Sequence, residues 1–122
     1  MEEMVEQAEL LLEQNDPEEL REYLNNLNIS DVEVLIGELP EHGALFIDLL
    51  SINRSVNVFR ILDFPTQERI LQKLSGAKIT ELIKELPPDD RTSLFSEMHA
   101  DTVRILINQL PGDERKEALS LM

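Results

Sequence analysis

Four prolines, Pro40, Pro65, Pro87 and Pro111, organise the apolar positions of this chain. One, four, five and eight residues before Pro40 stand Leu39, Ile36, Leu35 and Val32. The same offsets give Leu86, Ile83, Leu82 and Ile79 before Pro87, and Leu110, Ile107, Leu106 and Val103 before Pro111. Before Pro65 they give Phe64, Ile61, Arg60 and Asn57, with Val56, Val58 and Phe59 beside them. This is the spacing of one apolar helix face. A proline cannot continue a helix and pushes its predecessor out of the α region, so each set predicts a helix ending at a proline corner. The corners follow one another at intervals of 25, 22 and 24 residues, which suits two short helices and two turns per repeat. The expected fold class is all-α and solenoid-like, with units burying their stripes against neighbours. The strand-and-asparagine pattern of leucine-rich repeats, which share this period, is absent.

The rest of the pattern fills in the elements. Met4, Val5, Ala8, Leu11 and Leu12 form the stripe of a first helix. Asp16-Pro17-Glu18-Glu19 reads as an N-cap and a proline at the first helical position, opening a helix that turns Leu20, Tyr23 and Leu24 inward and ends at Asn25, Asn26 and Asn28. Ser30-Asp31-Val32-Glu33 reads as a capping box. These acidic helices, residues 1–29, precede the repeats at 30–122 in one expected domain. Beyond the corners the predicted stripes are Leu45, Phe46, Leu49 and Leu50; Ile70, Leu71 and Leu74; Leu94, Phe95 and Met98; and Ala118, Leu119 and Met122. The last two repeats match each other better than they match the first two. Segments 51–55, 75–76 and 99–101 read as turns, with Gly76 a helix C′ residue and Asp101 an N-cap. The chain stops within or just after an amphipathic stripe, as a piece of a longer chain would.

Composition narrows the function classes. The 122 residues suit one domain, and with 42% hydrophobic but 4% aromatic residues its core is expected to be Leu, Ile and Val. There is no cysteine, so disulfides and thiolate chemistry are excluded, and a reducing compartment fits. Apolar runs are only a few residues long, as in Ala44-Leu45-Phe46-Ile47, so none spans a membrane or reads as a signal peptide. Lys+Arg 11 against Asp+Glu 25 gives a formal net charge of −14. Nucleic acids and anionic lipid surfaces need basic patches, so both are excluded as partners. The acidity either attracts cations and basic surfaces or simply keeps the domain in solution.

Nothing in the chain points to catalysis. Its four glycines form no phosphate-cradling loop, and no nucleophile-elbow, zinc-protease or EF-hand spacing occurs. The two histidines, His42 and His99, fall in a corner and a turn, as solvated or capping residues do. The acidic corners remain. Asp89 and Asp90 follow Pro88, and Asp113 and Glu114 follow Pro111. The helix dipole alone accounts for acids at a helix start. An exposed pair also suffices for half of a Mg²⁺ site, because that ion keeps most of its waters and takes one or two carboxylates. Both readings stay open on the residues alone.

The corner Glu85-Leu86-Pro87-Pro88-Asp89-Asp90, the two-helix period, the acidic first helix followed by Asp16-Pro17-Glu18-Glu19-Leu20-Arg21, and the closing Leu110-Pro111-Gly112-Asp113-Glu114-Arg115 together resemble the N-terminal cytoplasmic domain of the MgtE family of magnesium transporters. The similarity covers essentially the whole chain. It implies a right-handed superhelix of about ten short helices in two-helix repeats, followed in the full chain by CBS domains and a dimeric transmembrane pore. It implies no enzymatic activity but a cytosolic Mg²⁺ sensor on the cytoplasmic face of the membrane, working with the CBS domains and not itself entering the bilayer. By the same resemblance the metal acids are Asp89 and Asp90. The family's acid one turn further on falls at Ser93, and an earlier one falls near Asn57, so the chain departs from the family there and Glu97 and Asp101 stand as substitutes. Flagellar motor-switch proteins of the FliG type share a similar repeat, and the alternative they imply is a protein-binding scaffold.

Overall fold

The computed structural model describes residues 2–121. Its described residues form ten α-helices and one short 3-10 helix, with no strand. The chain divides into two compact units, residues 1–61 and residues 62–122.

The first unit contains α1 (Glu2–Glu13), α2 (Pro17–Asn26), α3 (Ile29–Glu38), the 3-10 helix Pro40–His42, α4 (Gly43–Leu49) and α5 (Ile52–Ile61). Asn15 takes a left-handed φ of 55°, which a short polar side chain tolerates, and so reverses the chain after α1. Asp16 then caps α2, its Oδ1 accepting from the Glu19 N–H at 3.2 Å, with Pro17 in the first turn as expected. α1 packs on α2 and α3, α2 on α4, and α3 on α5. The core is aliphatic apart from Phe46 and Phe59, and it buries all four positions predicted before Pro40. Tyr23 is half-buried and donates its hydroxyl to the Met4 carbonyl at 3.3 Å. Burial pushes its phenol pKa up, and the Asp31 carboxylate adds to the shift.

Three local expectations fail in this unit. α3 starts at Ile29 with Asn28 as its N-cap, so Ser30 lies inside the helix and does not cap it. After Pro40 the inserted 3-10 turn rotates α4, leaving Leu45 40% exposed and burying Ile47 in its place. Of the turn expected at 51–55 only Ser51 lies outside a helix, since α5 starts at Ile52. Ser55 is buried within α5 and donates its hydroxyl to the Ile47 carbonyl at 2.9 Å and the Leu50 carbonyl at 3.2 Å.

The second unit contains α6 (Phe64–Leu71), α7 (Gly76–Glu85), α8 (Pro88–Glu97), α9 (Ala100–Gln109) and α10 (Gly112–Leu121). α7 and α9 both pack on α10. The stripe before Pro87 is buried throughout, as are Leu106 and Leu110 of the stripe before Pro111. The Pro65 corner lies elsewhere than predicted. α5 ends at Ile61 and Asp63 caps the next helix, so Phe64 opens α6 and Pro65 sits in its first turn. The Asp63 carboxylate accepts from the Thr66 N–H at 2.9 Å, and the hydrogen bonds from Thr66, with Arg69 nearby, hold its pKa below the ordinary value. Ile61 is accordingly 47% exposed and Arg60 exposed, while Val56, Val58 and Phe59 carry the buried face of α5.

Gly76 is the first residue of α7, not a C′ residue of the helix before it. Ser75 is the N-cap, accepting from the Lys78 N–H at 3.3 Å. Leu94 and Met98 of the α8 stripe are buried and Phe95 is half-buried. Of the stripe predicted on α10, Leu119 is 53% exposed. Met122 and the side chains of Ala118 and Glu114 lie outside the described residues.

Candidate functional site

α7 ends at Glu85, with Leu86 as its C-cap donating back to the Leu82 carbonyl, and the chain turns through Pro87 into α8. Pro87 occupies the N-cap position and offers no side-chain acceptor there. Pro88 has no N–H to satisfy, so the open donors and positive dipole end of α8 belong to the residues just after it. Asp89 and Asp90 fall in that first turn, Asp89 exposed and Asp90 half-exposed. The sequence pattern therefore places both carboxylates where the helix stabilises negative charge and where solvent reaches them.

The other two candidates are elsewhere. Glu97 is the last residue of α8, eight positions beyond Asp89, a rise of about 12 Å along the axis. Asp101 lies in the first turn of α9 rather than at its N-cap, which is His99, and its Oδ1 is 3.2 Å from Arg104 Nη2. Both partners are exposed, so the pair contributes little to stability, but it occupies the Asp101 carboxylate. The four candidates thus fall into two groups at opposite ends of α8. Ser93 is exposed on α8, and Asn57 is half-buried on α5. Among the described residues no group of three or more His, Asp or Glu comes together to hold a metal ion. Asp89 and Asp90 suit a hydrated Mg²⁺ as one or two carboxylates of a site, not as a complete cage.

One polar cluster in this unit joins residues that are far apart in the sequence. His99 provides no side-chain cap for α9. Glu68 of α6, 31 residues upstream, reaches the start of α9: its Oε2 lies 3.5 Å from the His99 backbone N and 3.3 Å from His99 Nδ1. Partial desolvation raises the Glu68 pKa, but hydrogen bonds from the His99 ring, the Thr102 side chain and the His99 N–H outweigh it and leave the carboxyl below its ordinary value. The only sequence signal is a helix start lacking Ser, Thr, Asp or Asn at its cap. Lys84 Nζ, 3.3 Å from Glu117 Oε1, links α7 to α10.

The helices, their proline corners and the acidic start of α8 define an all-helical domain built from short amphipathic helices with exposed carboxylates at helix N-termini. The family model described as the MgtE intracellular N domain matches residues 41–122, and the chain belongs to that family. It is the family of a regulatory domain of magnesium transporters, not of an enzyme. A search of curated proteins returns no match. None of the described helices is long and apolar enough to cross a membrane.

Proposed function

We propose that the chain is the cytosolic Mg²⁺-sensing domain of an MgtE-type transporter, with Asp89 and Asp90 as its metal-facing carboxylates. The observation that carries this reading is the pair of acids in the first turn of α8, Asp89 exposed and Asp90 half-exposed, in a chain of this family. Two carboxylates are half of a hard-cation site, and CBS domains of the same full-length chain, a homodimer at the cytoplasmic face of the membrane, supply the rest. Bound Mg²⁺ neutralises facing acidic surfaces and favours the closed pore. At low Mg²⁺ the uncompensated carboxylates repel and the open state gains population, as for any ligand that binds one of two states preferentially.

The test is a backbone amide NMR titration of the 122-residue chain with MgCl₂ against KCl of matched ionic strength, since salt alone screens a protein of charge −14. Saturable shifts centred on Asp89 and Asp90, absent with KCl and lost in the D89N/D90N variant, are expected. Shifts equal in the two salts would remove Asp89 and Asp90 as a site in this domain.

A further inference from the structure

Two adjoining depressions in the residues 1–61 unit share Leu11. The first, about 130 Å³, lies where the α1–α2 turn meets α4 and is lined by Leu11, Leu12, Leu20, Leu45 and Leu49, with Asn15, Asp16 and Pro17. That volume is well under the roughly 300–1,000 Å³ of small-molecule sites, so it suits one aliphatic side chain rather than a metabolite. The second, about 220 Å³ and more open, is lined by Leu11, Tyr23, Gln7, Glu19 and Glu22. Glu19 and Glu22 are exposed and three residues apart on α2, hence neighbours on its surface.

The surrounding charge has one sign. Residues 1–28 hold nine acids and one base, Arg21. Arg21 is already engaged, with Nε 3.7 Å from Glu18 Oε1 and Nη1 donating to the Leu49 carbonyl at 3.4 Å. Leu45 is 40% exposed in the groove despite its size.

We propose that the two depressions form one docking face for a basic amphipathic helix of a partner protein. The partner places an aliphatic side chain among Leu12, Leu20 and Leu45. One helical turn away, a lysine or arginine lays its stem along Tyr23 and its cation between Glu19 and Glu22. Charge selects this occupant, because a second copy of the same acidic face, or an anionic lipid surface, would be repelled. Six of the eight residues lining the first groove precede residue 41, outside the segment the family model matches. The inference therefore stands independently of the Mg²⁺ reading.

The probe is a peptide of about 18 residues built from leucine and lysine with leucines at helical spacing, compared with a scramble of the same composition. Amide shifts of the 122-residue chain are expected to cluster at Leu11, Leu12, Asn15 to Tyr23, Leu45 and Leu49, with the scramble bound at least tenfold more weakly. Leu45→Gln, at an exposed position, and the pair Glu19→Lys with Glu22→Lys should each weaken binding about tenfold. The control is Glu81→Lys with Glu85→Lys, the same change in net charge on exposed positions of α7, and it should leave affinity within about twofold. Equal loss in that control, or equal binding of the scramble, would show attraction by net charge alone and overturn the proposal. The same shifts on raising the concentration of the chain without peptide would overturn it in favour of a second copy.

Discussion

Glu68 is the N-terminal cap of α9, although His99 occupies the cap position: its Oε2 lies 3.3 Å from His99 Nδ1 and 3.5 Å from the His99 backbone N. A carboxylate that reaches a helix start from another helix does two things. It satisfies an orphan donor, and it places negative charge at the positive end of the dipole.

That relationship gives the acid side of the stability profile a defined sign. The Glu68 carboxyl is held below its ordinary value of 4.5 in the folded chain. Its contribution is complete above that value and is lost as pH falls through the depressed folded-state value. Glu68→Gln keeps an acceptor but removes the charge. We expect its melting temperature to lie a few degrees below the parent at neutral pH, and the gap to close as the solution is acidified. Thermal melts of both proteins across the acid range check this; a gap independent of pH would mean that the carboxylate charge is not what caps α9.

The rotation of α4 is checked by two neighbouring truncations. Ile47 is fully buried and Leu45 is 40% exposed, whereas the stripe expected beyond Pro40 includes Leu45 and omits Ile47. Ile47→Ala should cost about 2–5 kcal/mol by lost burial and the cavity left behind, and Leu45→Ala less than about 1 kcal/mol. Urea denaturation of the two variants decides the register, and a larger cost at Leu45 than at Ile47 would restore the stripe expected from the sequence.

These two results mark how far the sequence carries. Helical stripes ending at Leu39 and Leu86 are legible because one face must be apolar for a short helix to pack at all, and the structure buries all eight of their positions. The acidic start of α8 is legible because proline chemistry fixes where the helix begins. Phe64 misleads because a proline ends one helix and starts another equally well, and only the Asp63 cap decides between them. Glu68 cannot be read at all, since its partner is 31 residues away and capping rules see only local spacing. Asp89 and Asp90 are the opposite case, since their place in the first turn of α8 is set by local spacing alone.

Gly37 offers a stabilising change. It lies within α3, is exposed, and a Cβ added there would meet nothing within 4 Å. None of the described glycines has a positive φ, so no left-handed backbone requires its freedom. Gly37→Ala should raise stability by about 0.4–1 kcal/mol, chiefly by restricting the unfolded chain. The expected readout is a higher urea midpoint with an unchanged slope, and a lower midpoint would show that the position needs glycine for a contact or a motion.

Arg54 closes the C-terminus of α2 from α5. Its Nη2 donates to the Leu24 carbonyl at 3.2 Å, which also accepts the Leu27 N–H at 3.3 Å, and to the Leu27 carbonyl just past the end of α2. Its Nε is buried without a partner, so the side chain also carries a cost that truncation would remove. Arg54→Ala should therefore destabilise by about 1.5–3 kcal/mol, the range for hydrogen bonds to a charged group, less whatever the unsatisfied Nε returns. Arg54→Met keeps an apolar stem without donors and should recover the packing share of that loss. Arg54→Lys keeps the charge but has one compact ammonium in place of a planar fork, so it should fall short of the parent despite its apparent similarity. Urea midpoints ranking parent above lysine, with amide shifts confined to Leu24 through Leu27 and α5, would establish that the fork geometry holds these two helices together. A lysine variant as stable as the parent would reduce Arg54 to a charge at a helix C-terminus.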